Sequence, residues 1–463
     1  MAPLETKLLA ALQSREERQI RRRLSDPKSD SGLIDFHTND YLSLSTSQDL
    51  RDRFLAKLQT SPNILGSGGS RLLVNGEAHS SLEARLAKFF NAPTALLFNS
   101  GFDANVGFFS CIPQPGDVVV YDEYIHASVH DGIRSSRVKS STYSFEHNSL
   151  NALGALLVQL IKDRPELCQG KQSLFIAVES LYSMDGTIAP LTQIVEMVET
   201  LFPKGNGYVV VDEAHATGIY GPQGKGLVAL LGLERRVLAR LCTFGKALAG
   251  SGAVVLTTEV IRDYMLNYAR SLIYTTSLSY ANIISVDCSF DLLENGTAKK
   301  LASRLLEHST YFVFALRDLL HLHSIPLHIL SLPTHLQYST GSSSSPSSSS
   351  SLTTPPLSLT PSLSTLPSPI IPLLTSSPRP LSHFLRITKH MNARPITWPT
   401  VPKGKERVRV CLHAGNTREE VEGLVSGVVE WALREVEKEK GGRGRVEVRR
   451  GGGSESLPVQ SKL

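Results

Sequence analysis

The chain has 463 residues, of which 41% are hydrophobic and 20% charged, a composition typical of a globular protein with two or three domains. Its net charge is +5, but much of the basic excess lies near the ends, and no basic face with interleaved aromatic residues indicates nucleic-acid binding. Five scattered cysteines without a CxxC pair argue against disulfides and a zinc site, and no apolar run approaches the ~18 residues of a membrane span.

Residues 1–35 predict a helical N-terminal segment. Leucines recur at helical spacing within "PLETKLLAAL" and the residues that follow it. The acidic residues Glu5, Glu16 and Glu17 are unlike a mitochondrial presequence, and the apolar core of a secretory signal is not seen. We therefore expect neither of these two addresses here.

Residues 36–280 predict a large α/β domain. Apolar runs such as "DVVVYD", "SLFIAVES" and "GYVVVDEAH" alternate with helix-like segments, which is typical of a mostly parallel sheet covered on both faces. Open sheets of this kind bind ligands at the carboxyl ends of their strands. The polar residues expected at that edge are Asn99, Ser100, Asp122, Glu179, Ser180, Asp212 and Thr243.

Residues 281–438 predict a smaller C-terminal α+β domain. It begins with helix-like sequence, contains the strand-like "RVRVCLHA" and is predicted to end in a helix from Arg418 to Glu439. Between 339 and 369, a Ser/Pro-rich low-complexity run cannot bury a core, so we predict a disordered insertion. We expect residues 439–463 to form a flexible tail.

Lys246 is the one charged residue of "LCTFGKALAGSGAVVL", and burying an amine in such a run costs free energy unless a partner uses it. Asp212 ends an earlier predicted strand in "VVVDEAH". A lone Asp after a strand is most often a helix cap or a turn residue. Paired with a lysine on a neighbouring strand end, however, it fits pyridoxal phosphate (PLP), which needs a lysine amine and a carboxylate on its ring nitrogen.

Other segments supply further contacts for such a cofactor. Gly101 lies between a predicted strand and a helix, where backbone N–H groups bind phosphate well, and Thr243 adds a hydroxyl. His126 in "DEYIHAS" could stack on a ring, although a lone histidine is more often only a polar surface residue. Further hydroxyl donors in or near turns are Ser183, Thr275 and Thr276.

Together, these segments resemble the α-oxoamine synthase family, which are class II aminotransferase-like enzymes of the fold-type I PLP group. The resemblance covers residues 20–335 and 369–435 and rests on "NDYLSLS", "GSGGSRLLVNGEAHSSLE", "NSGFDANVGF", "ESLYSMDGTIAPL", "VVVDEAHATGIYGPQGKG" and "TFGKALAGSG". Ser43 stands where the family usually has Gly, and "NSGF" replaces the commoner "SSGY", but neither change removes a required functional group. The resemblance implies PLP as the cofactor and a fold-type I architecture.

By this resemblance, Lys246 matches the lysine that binds PLP covalently, and Asp212 matches the partner of the ring nitrogen. His215 matches the donor to the ring oxygen, and His126 matches the residue that stacks on the ring. Lys246, His126 and Asp212 are the expected catalytic residues. The other implied cofactor contacts are Gly101, Phe102, Ser183 and Thr243, with Thr275 and Thr276 as phosphate ligands donated across a homodimer interface.

The resemblance also implies substrate-binding positions. Arg409, the second arginine of "RVRV", matches the residue that holds the amino-acid carboxylate, and its guanidinium suits bidentate binding. Thr400 in "PTVP" and Arg21 match acyl-substrate positions, and His126 is shared with the cofactor. We expect no metal ligand.

The family condenses an amino acid with an acyl-CoA and releases CO2. "GSGGSR" with "NDYL" most resembles the members that use L-alanine and pimeloyl-CoA in biotin biosynthesis. The alternative is another member with a different amino acid or acyl-CoA, either from secondary metabolism or like 2-amino-3-oxobutyrate CoA ligase. Serine palmitoyltransferases usually carry a membrane anchor, and 5-aminolevulinate synthases are normally mitochondrial.

Two other classes of protein fit the sequence less well. Non-catalytic subunits of this family lack the lysine, whereas Lys246 is present. A phosphate-binding loop needs GxxxxGK followed by Ser or Thr. In "IYGPQGKG", Ile219 stands where the first Gly should be, and Gly226 follows Lys225.

The residues Ser461, Lys462 and Leu463 read SKL, which is a peroxisomal address when it ends a chain. The preceding "GGGSESLPVQ" is polar and rich in Gly, so we expect it to leave the signal accessible. We therefore expect the peroxisomal import receptor as a partner and the peroxisomal matrix as the location, with the cytoplasm as the second choice. Peroxisomes shorten acyl-CoA chains and could supply pimeloyl-CoA.

Overall fold

The structure is a computed structural model, which describes residues 2–18, 20–24, 26–138, 140–337 and 366–448. Its strands are β1 (Ile34–Asp35), β2 (Thr94–Phe98), β3 (Val118–Asp122), β4 (Thr142–Phe145), β5 (Leu174–Glu179), β6 (Gly207–Asp212), β7 (Ala239–Thr243), β8 (Ala253–Thr257), β9 (Ile370–Leu374), β10 (Met391–Asn392), β11 (Arg394–Ile396) and β12 (Arg407–Cys411). Its helices are α1 (Pro3–Glu17), α2 (Pro27–Asp30), α3 (Gln48–Thr60), α4 (Glu77–Phe89), α5 (Gly101–Cys111), α6 (Ala127–Arg134), α7 (Leu150–Asp163), α8 (Pro165–Cys168), α9 (Leu191–Leu201), α10 (Leu227–Leu230), α11 (Glu259–Tyr268), α12 (Arg270–Ile273), α13 (Tyr280–Glu294), α14 (Thr297–Leu322), α15 (Thr334–Gln337), α16 (Pro378–Lys389) and α17 (Arg418–Val448).

In the described part of the chain, the central element is a seven-stranded sheet in the order β2-β8-β7-β6-β5-β3-β4. The neighbouring pairs from β7 to β4 are parallel, whereas β8 runs antiparallel to both of its neighbours. Parallel neighbours need crossover connections, which here contain helices. The predicted α/β fold with a mostly parallel central sheet is confirmed.

Alternate residues of the buried strands belong to different apolar clusters. Val118 and Val120 of β3 lie in one cluster with Val211 of β6, whereas Val119 and Val210 lie in the other. Successive side chains of a strand point to opposite faces. Both faces of the sheet are therefore covered, which explains why these runs are continuously apolar.

The C-terminal part is built on an antiparallel sheet with the strand order β11-β12-β9. Helix α16 packs on β12 and on α17, and α14 also packs on α17. Arg407 and Arg409 are two residues apart in β12, so their side chains leave the same face of this sheet. The arrangement is α+β, as expected, while the boundaries at 281 and 438 stay predictions.

Helix α1 lies apart from the apolar core. None of its residues is buried, and Leu4 and Leu8 of the predicted apolar stripe are 67% and 56% exposed. Across the described ranges, no helix has the length and apolar character needed to cross a membrane.

Three features differ from the sequence-based expectation or lie beyond it. Strands β4 and β8 are not predicted by the patterns above. Helix α17 begins at Arg418, as predicted, but ends at Val448 instead of Glu439, so it includes the first ten residues of the predicted flexible tail, 439–448. The helix-favouring Glu and Lys residues at 435–440 account for the start of this extension, whereas the glycines at 441–444 do not favour it. Most of the predicted Ser/Pro-rich insertion and the SKL residues lie outside the described residues.

Candidate active site

Polar residues meet at the carboxyl edge of the central sheet. Asp122, Glu179, Asp212 and Thr243 are the last residues of β3, β5, β6 and β7. Glu179 and Asp212 are register partners in adjacent strands. Because these strands are parallel, their ends share the edge at which open α/β sheets bind ligands.

The carboxylate of Asp212 is buried and held from two sides. Its Oδ2 accepts from Nδ2 of Asn105 at 2.8 Å, and its Oδ1 accepts from the N–H of Ala214 at 2.9 Å. The second bond is the turn contact that an ordinary Asp after a strand would make. The bond from Asn105 is not local, and it fixes the carboxylate at the strand edge.

Lys246 belongs to a chain of hydrogen bonds that begins at its amine. Nζ lies 2.9 Å from Nε2 of His215, and Nδ1 of His215 lies 2.7 Å from the hydroxyl of Tyr41. Burial and the Lys246 cation hold the pKa of His215 well below its usual range, so the ring is neutral. Since a neutral imidazole donates from one nitrogen, we assign Nε2 as the acceptor from Lys246 and Nδ1 as the donor to Tyr41.

The charges near Lys246 favour a reactive amine. Burial lowers the pKa of Lys246, and the charges of Asp212 and Glu179 oppose that effect. Burial, and then the neighbouring Asp212, raise the pKa of Glu179 well above its usual range. A lysine with a lowered pKa keeps more of the neutral amine that acts as nucleophile and base.

His126 has a fixed ring orientation beside Asp212. Its Nδ1 accepts from the N–H of Ser128 at 3.2 Å and thereby caps α6. Ser128 in turn accepts from Nδ2 of Asn105 at 3.0 Å, the same group that holds Asp212. The ring of Phe102 meets His126 edge-on, with 6.5 Å between ring centroids.

The start of α5 and the end of β7 form an anion cradle. Ser100 caps α5 by accepting from the N–H of Asp103 at 3.0 Å, and the first-turn N–H groups of a helix have no acceptor within it. A Cβ placed on Gly101 would lie 3.5 Å from the side chain of Thr243, so the two expected phosphate contacts face each other.

Thr275 and Thr276 lie beside this cradle in the same chain. The side-chain amide of Asn99 donates to Oγ1 of Thr275 at 3.2 Å and to the carbonyl of Thr276 at 2.6 Å. Their role across a homodimer interface stays a prediction.

Arg409 reaches from β12 into the site and is 7% exposed. Its Nε donates to the carbonyl of Ser183 at 2.6 Å, and its Nη2 donates to Oδ1 of Asn39 at 3.0 Å. The hydroxyl of Tyr41 lies 3.4 Å from Nη2, which links Arg409 to the chain that begins at Lys246. These bonds fix the plane of the guanidinium, and Nη1 forms no hydrogen bond among the described residues.

A cleft of about 360 Å³ adjoins Ser183. It is lined by Glu123, Tyr124, Ile125, Tyr182, Ser183, Met184, Asp185, Trp398, Pro399, Thr400, Val401 and Pro402. Ser183 and Thr400 thus lie together, although they are far apart in the chain. Arg21 is not among the residues that line the cleft, and its guanidinium pairs with Glu16 at 3.4 Å. Its contact with the acyl substrate stays a prediction.

Three residues that hold the site together are not among the predicted site residues. Asn105 positions Asp212, and it lies one helical turn after Gly101 on the same face of α5, which is a signal that could have found it. Tyr41 and Asn39 belong to the quoted segment "NDYLSLS", but nothing local in the sequence points to His215 or Arg409 as their partners.

The sequence matches of the chain agree with this geometry. The family of aminotransferases class I and II matches residues 31–428. An 8-amino-7-oxononanoate synthase of Emericella nidulans is 46% identical over 440 residues, which cover 94% of this chain and 98% of that protein. The chain belongs to the α-oxoamine synthase family. It is a PLP-dependent acyltransferase, as the sequence segments predict.

Two other proteins show how far the likeness extends. The aminoacyl transferase sphA of Aspergillus fumigatus is 38% identical to this chain over 412 residues. The match covers 88% of this chain and 83% of sphA. A serine palmitoyltransferase from S. paucimobilis, solved with bound PLP, superposes with a TM-score of 0.72 at 21% identity, covering 94% and 99% of the two chains. The last comparison supports the fold alone.

The residues present fit PLP, which has an anionic phosphate, a carbonyl carbon and a basic ring nitrogen. Asp212 supplies the carboxylate for the nitrogen, and Lys246 supplies the amine for the carbonyl carbon. The start of α5 with Thr243 supplies donors for the phosphate. When bound, PLP withdraws electrons from an attached amino acid. Among the described residues, no group of His, Cys, Asp and Glu forms a metal site.

Proposed function

We propose that this α-oxoamine synthase condenses L-alanine with pimeloyl-CoA to 8-amino-7-oxononanoate, CoA and CO2, a step of biotin biosynthesis. The observation that carries the proposal is the 46% identity to the Emericella nidulans synthase over almost the full length of both chains. That match spans the cofactor-binding edge as well as the part that contributes Arg409 and Thr400.

In the proposed reaction, each side chain has a defined task. Arg409 binds the carboxylate of L-alanine with a guanidinium plane that Ser183 and Asn39 hold. The amine of Lys246 removes the proton from Cα, as a base with a lowered pKa can do. The Cα electron pair forms a bond to the thioester carbonyl carbon as the C–S bond breaks, and CoA leaves as a thiolate that takes a proton from water. The bond from Cα to the carboxyl group then breaks to release CO2, its electron pair stays at Cα, and the ammonium of Lys246 returns a proton to Cα.

The cleft beside Ser183 is the proposed acyl site. It adjoins Ser183, whose carbonyl holds Arg409, so a thioester in the cleft lies next to the amino-acid substrate. Thr400, which also lines the cleft, is the expected contact to the acyl substrate.

The second candidate function is another α-oxoamine synthase reaction, which the 38% identity to sphA favours. An assay distinguishes the two candidate functions. Purified protein is incubated with alanine, glycine or serine and a panel of acyl-CoAs, and the release of CoA is measured with a thiol reagent. We expect alanine with pimeloyl-CoA to have the highest kcat/KM. A higher value for another pair would favour the second candidate.

A homodimer is proposed as the active form. Leu65, Leu73 and Tyr274 are 77%, 81% and 72% exposed in the single chain. The segment that carries Leu65 and Leu73 hydrogen-bonds to the residues that follow Thr276. Exposed apolar residues of this kind mark protein–protein contacts. Sedimentation velocity is the measurement, and a fully active monomer would contradict the proposal.

Peroxisomal location is also proposed. It rests on the SKL residues, Ser461–Leu463, which lie outside the described residues.

A further inference from the structure

Three cations lie at the mouth of the acyl cleft and are named here the cationic rim: Arg18, Lys403 and Lys405. The guanidinium of Arg18 lies 5.9 Å from the ring centroid of Trp398, and Nζ of Lys403 lies 5.3 Å from it. Nζ of Lys405 donates to the hydroxyl of Tyr124 at 3.1 Å. Trp398 and Tyr124 both line the cleft, so each member of the rim contacts a residue of the cleft wall.

The members of the cationic rim form no ion pair with Asp or Glu in the described part of the chain. The nearby Asp185 pairs with Arg407 instead. The hydrogen bond to Tyr124, together with the charges of Glu123 and Asp185, raises the pKa of Lys405, so this rim residue is a cation.

The rim also accounts for part of the basic N-terminal run. Arg18 is the first residue of the basic segment "RQIRRR", and it contacts Trp398 of the cleft from a distant part of the sequence. Cation–π contacts at exposed sites contribute only about 0.5–1 kcal/mol each, so they do not by themselves explain three unpaired cations at one entrance.

We propose that the cationic rim binds an anionic group of the acyl-CoA substrate as it enters the cleft. This rests on the proposed function, because both parts of pimeloyl-CoA carry anionic oxygens. One source is a phosphate of CoA, and the other is the terminal carboxylate of the acyl chain. Lysine and arginine bind both groups through charge-assisted hydrogen bonds.

The test uses the holoenzyme with Lys403→Met and Lys405→Met combined, which keeps most of each side-chain stem and removes two charges. The matched control is Lys299→Met with Lys300→Met, two exposed lysines of α14. We expect the rim variant to raise the KM for pimeloyl-CoA about tenfold while the KM for alanine and kcat stay near the control. The difference should shrink at high salt, because exposed charges are screened.

Two comparisons identify the source of the anion. Heptanoyl-CoA lacks the terminal carboxylate, and the pantetheine thioester of pimelate lacks the nucleotide phosphates. If a phosphate of CoA binds to the rim, the rim variant has the same KM for pimeloyl-CoA as for its pantetheine analogue. If the terminal carboxylate binds to the rim, the rim variant has the same KM for pimeloyl-CoA as for heptanoyl-CoA. Rim and control variants with equal KM values for every thioester would overturn the proposal.

A binding measurement separates this proposal from the proposed function. The chain has two tryptophans, so Trp431→Phe leaves Trp398 as the reporter inside the rim. Free CoA and free pimelate are titrated against its fluorescence in the rim and control backgrounds. Rim-dependent quenching by either ligand without any condensation activity would retain the binding site and reject the reaction. If the enzyme catalyses the condensation but neither the KM values nor the fluorescence depend on the rim, the proposed function is retained and the binding role of the rim is rejected.

Discussion

The amine of Lys246 lies 2.9 Å from Nε2 of His215, whose other nitrogen lies 2.7 Å from the hydroxyl of Tyr41. Through Tyr41 the chain of bonds continues to Arg409. The group expected to bind the cofactor and the group expected to bind the amino-acid carboxylate are thus linked by two neutral side chains. A substitution of Lys246 or Arg409 should therefore alter the hydrogen bonding of the other residue.

Lys246→Ala should abolish the visible absorbance of the lysine-bound cofactor and lower kcat at least about a thousandfold, because the covalent attachment and the base are both lost. Phosphate contacts at α5 should still retain some PLP. Absorbance spectra and CoA release measure the two effects, with Lys299→Ala as the control. Turnover at the wild-type rate would contradict the role of Lys246.

Asn105→Ala should weaken retention of PLP about tenfold, since it removes a charge-assisted bond that holds Asp212. The readout is the fraction of cofactor that remains bound during dialysis, alongside the thermal midpoint of unfolding. Asn151→Ala, an exposed change in α7, is the control. If both variants retained PLP equally, Asn105 would not position Asp212.

Arg409→Lys should raise the KM for alanine at least about tenfold, because lysine keeps the charge but loses the planar fork. The KM for the acyl-CoA should change little. Steady-state kinetics with each substrate varied in turn separates the two effects. An equal rise in both KM values would indicate a general distortion of the site instead.

Glu213 should make the protein less stable as the pH rises. Burial raises its pKa from an ordinary value of 4.5 to about 7. Between these values, the folded state keeps a proton that the unfolded state has released, so this contribution is full below pH 4.5 and is lost as the pH rises through 7.

Glu213→Gln removes this titration and keeps an acceptor for the N–H of Val228, which now donates to Glu213 at 2.9 Å. The variant should gain stability relative to wild type by up to about 3 kcal/mol on going from acid to neutral pH. Denaturant unfolding across that range is the measurement. Parallel stability curves for the two proteins would show that Glu213 does not titrate in this way.

An N-terminal fluorescent fusion of the 463-residue chain should be punctate and coincide with a peroxisomal marker, since SKL is read by the import receptor. Deletion of Leu463 should make it diffuse without lowering activity in vitro. A diffuse intact fusion would remove the proposal of a peroxisomal location.

The parts of the site that follow from local sequence were predictable. The strands ending at Asp212 and Thr243 are continuous apolar runs, and Lys246 is conspicuous as the lone charge in its segment. The reversed direction of β8 was not predictable, because a short apolar run carries no signal of its orientation in the sheet.

Contacts between distant segments could not be read from the sequence either. Asn39 and Tyr41 meet Arg409 although 370 and 368 residues separate them, and only the packing of the C-terminal sheet brings them together. Arg21 pairs with the nearby Glu16 at 3.4 Å, and its predicted contact with the acyl substrate stays a prediction.

The most direct test of the central claim uses purified holoenzyme with pimeloyl-CoA and L-alanine that carries an isotopic label in its carboxyl carbon. The account predicts unlabelled 8-amino-7-oxononanoate by mass spectrometry, with labelled CO2 and free CoA in equal amounts, and no product from Lys246→Ala. A condensation product that retains the label, or no product with alanine when another amino acid or acyl-CoA is turned over, would contradict it.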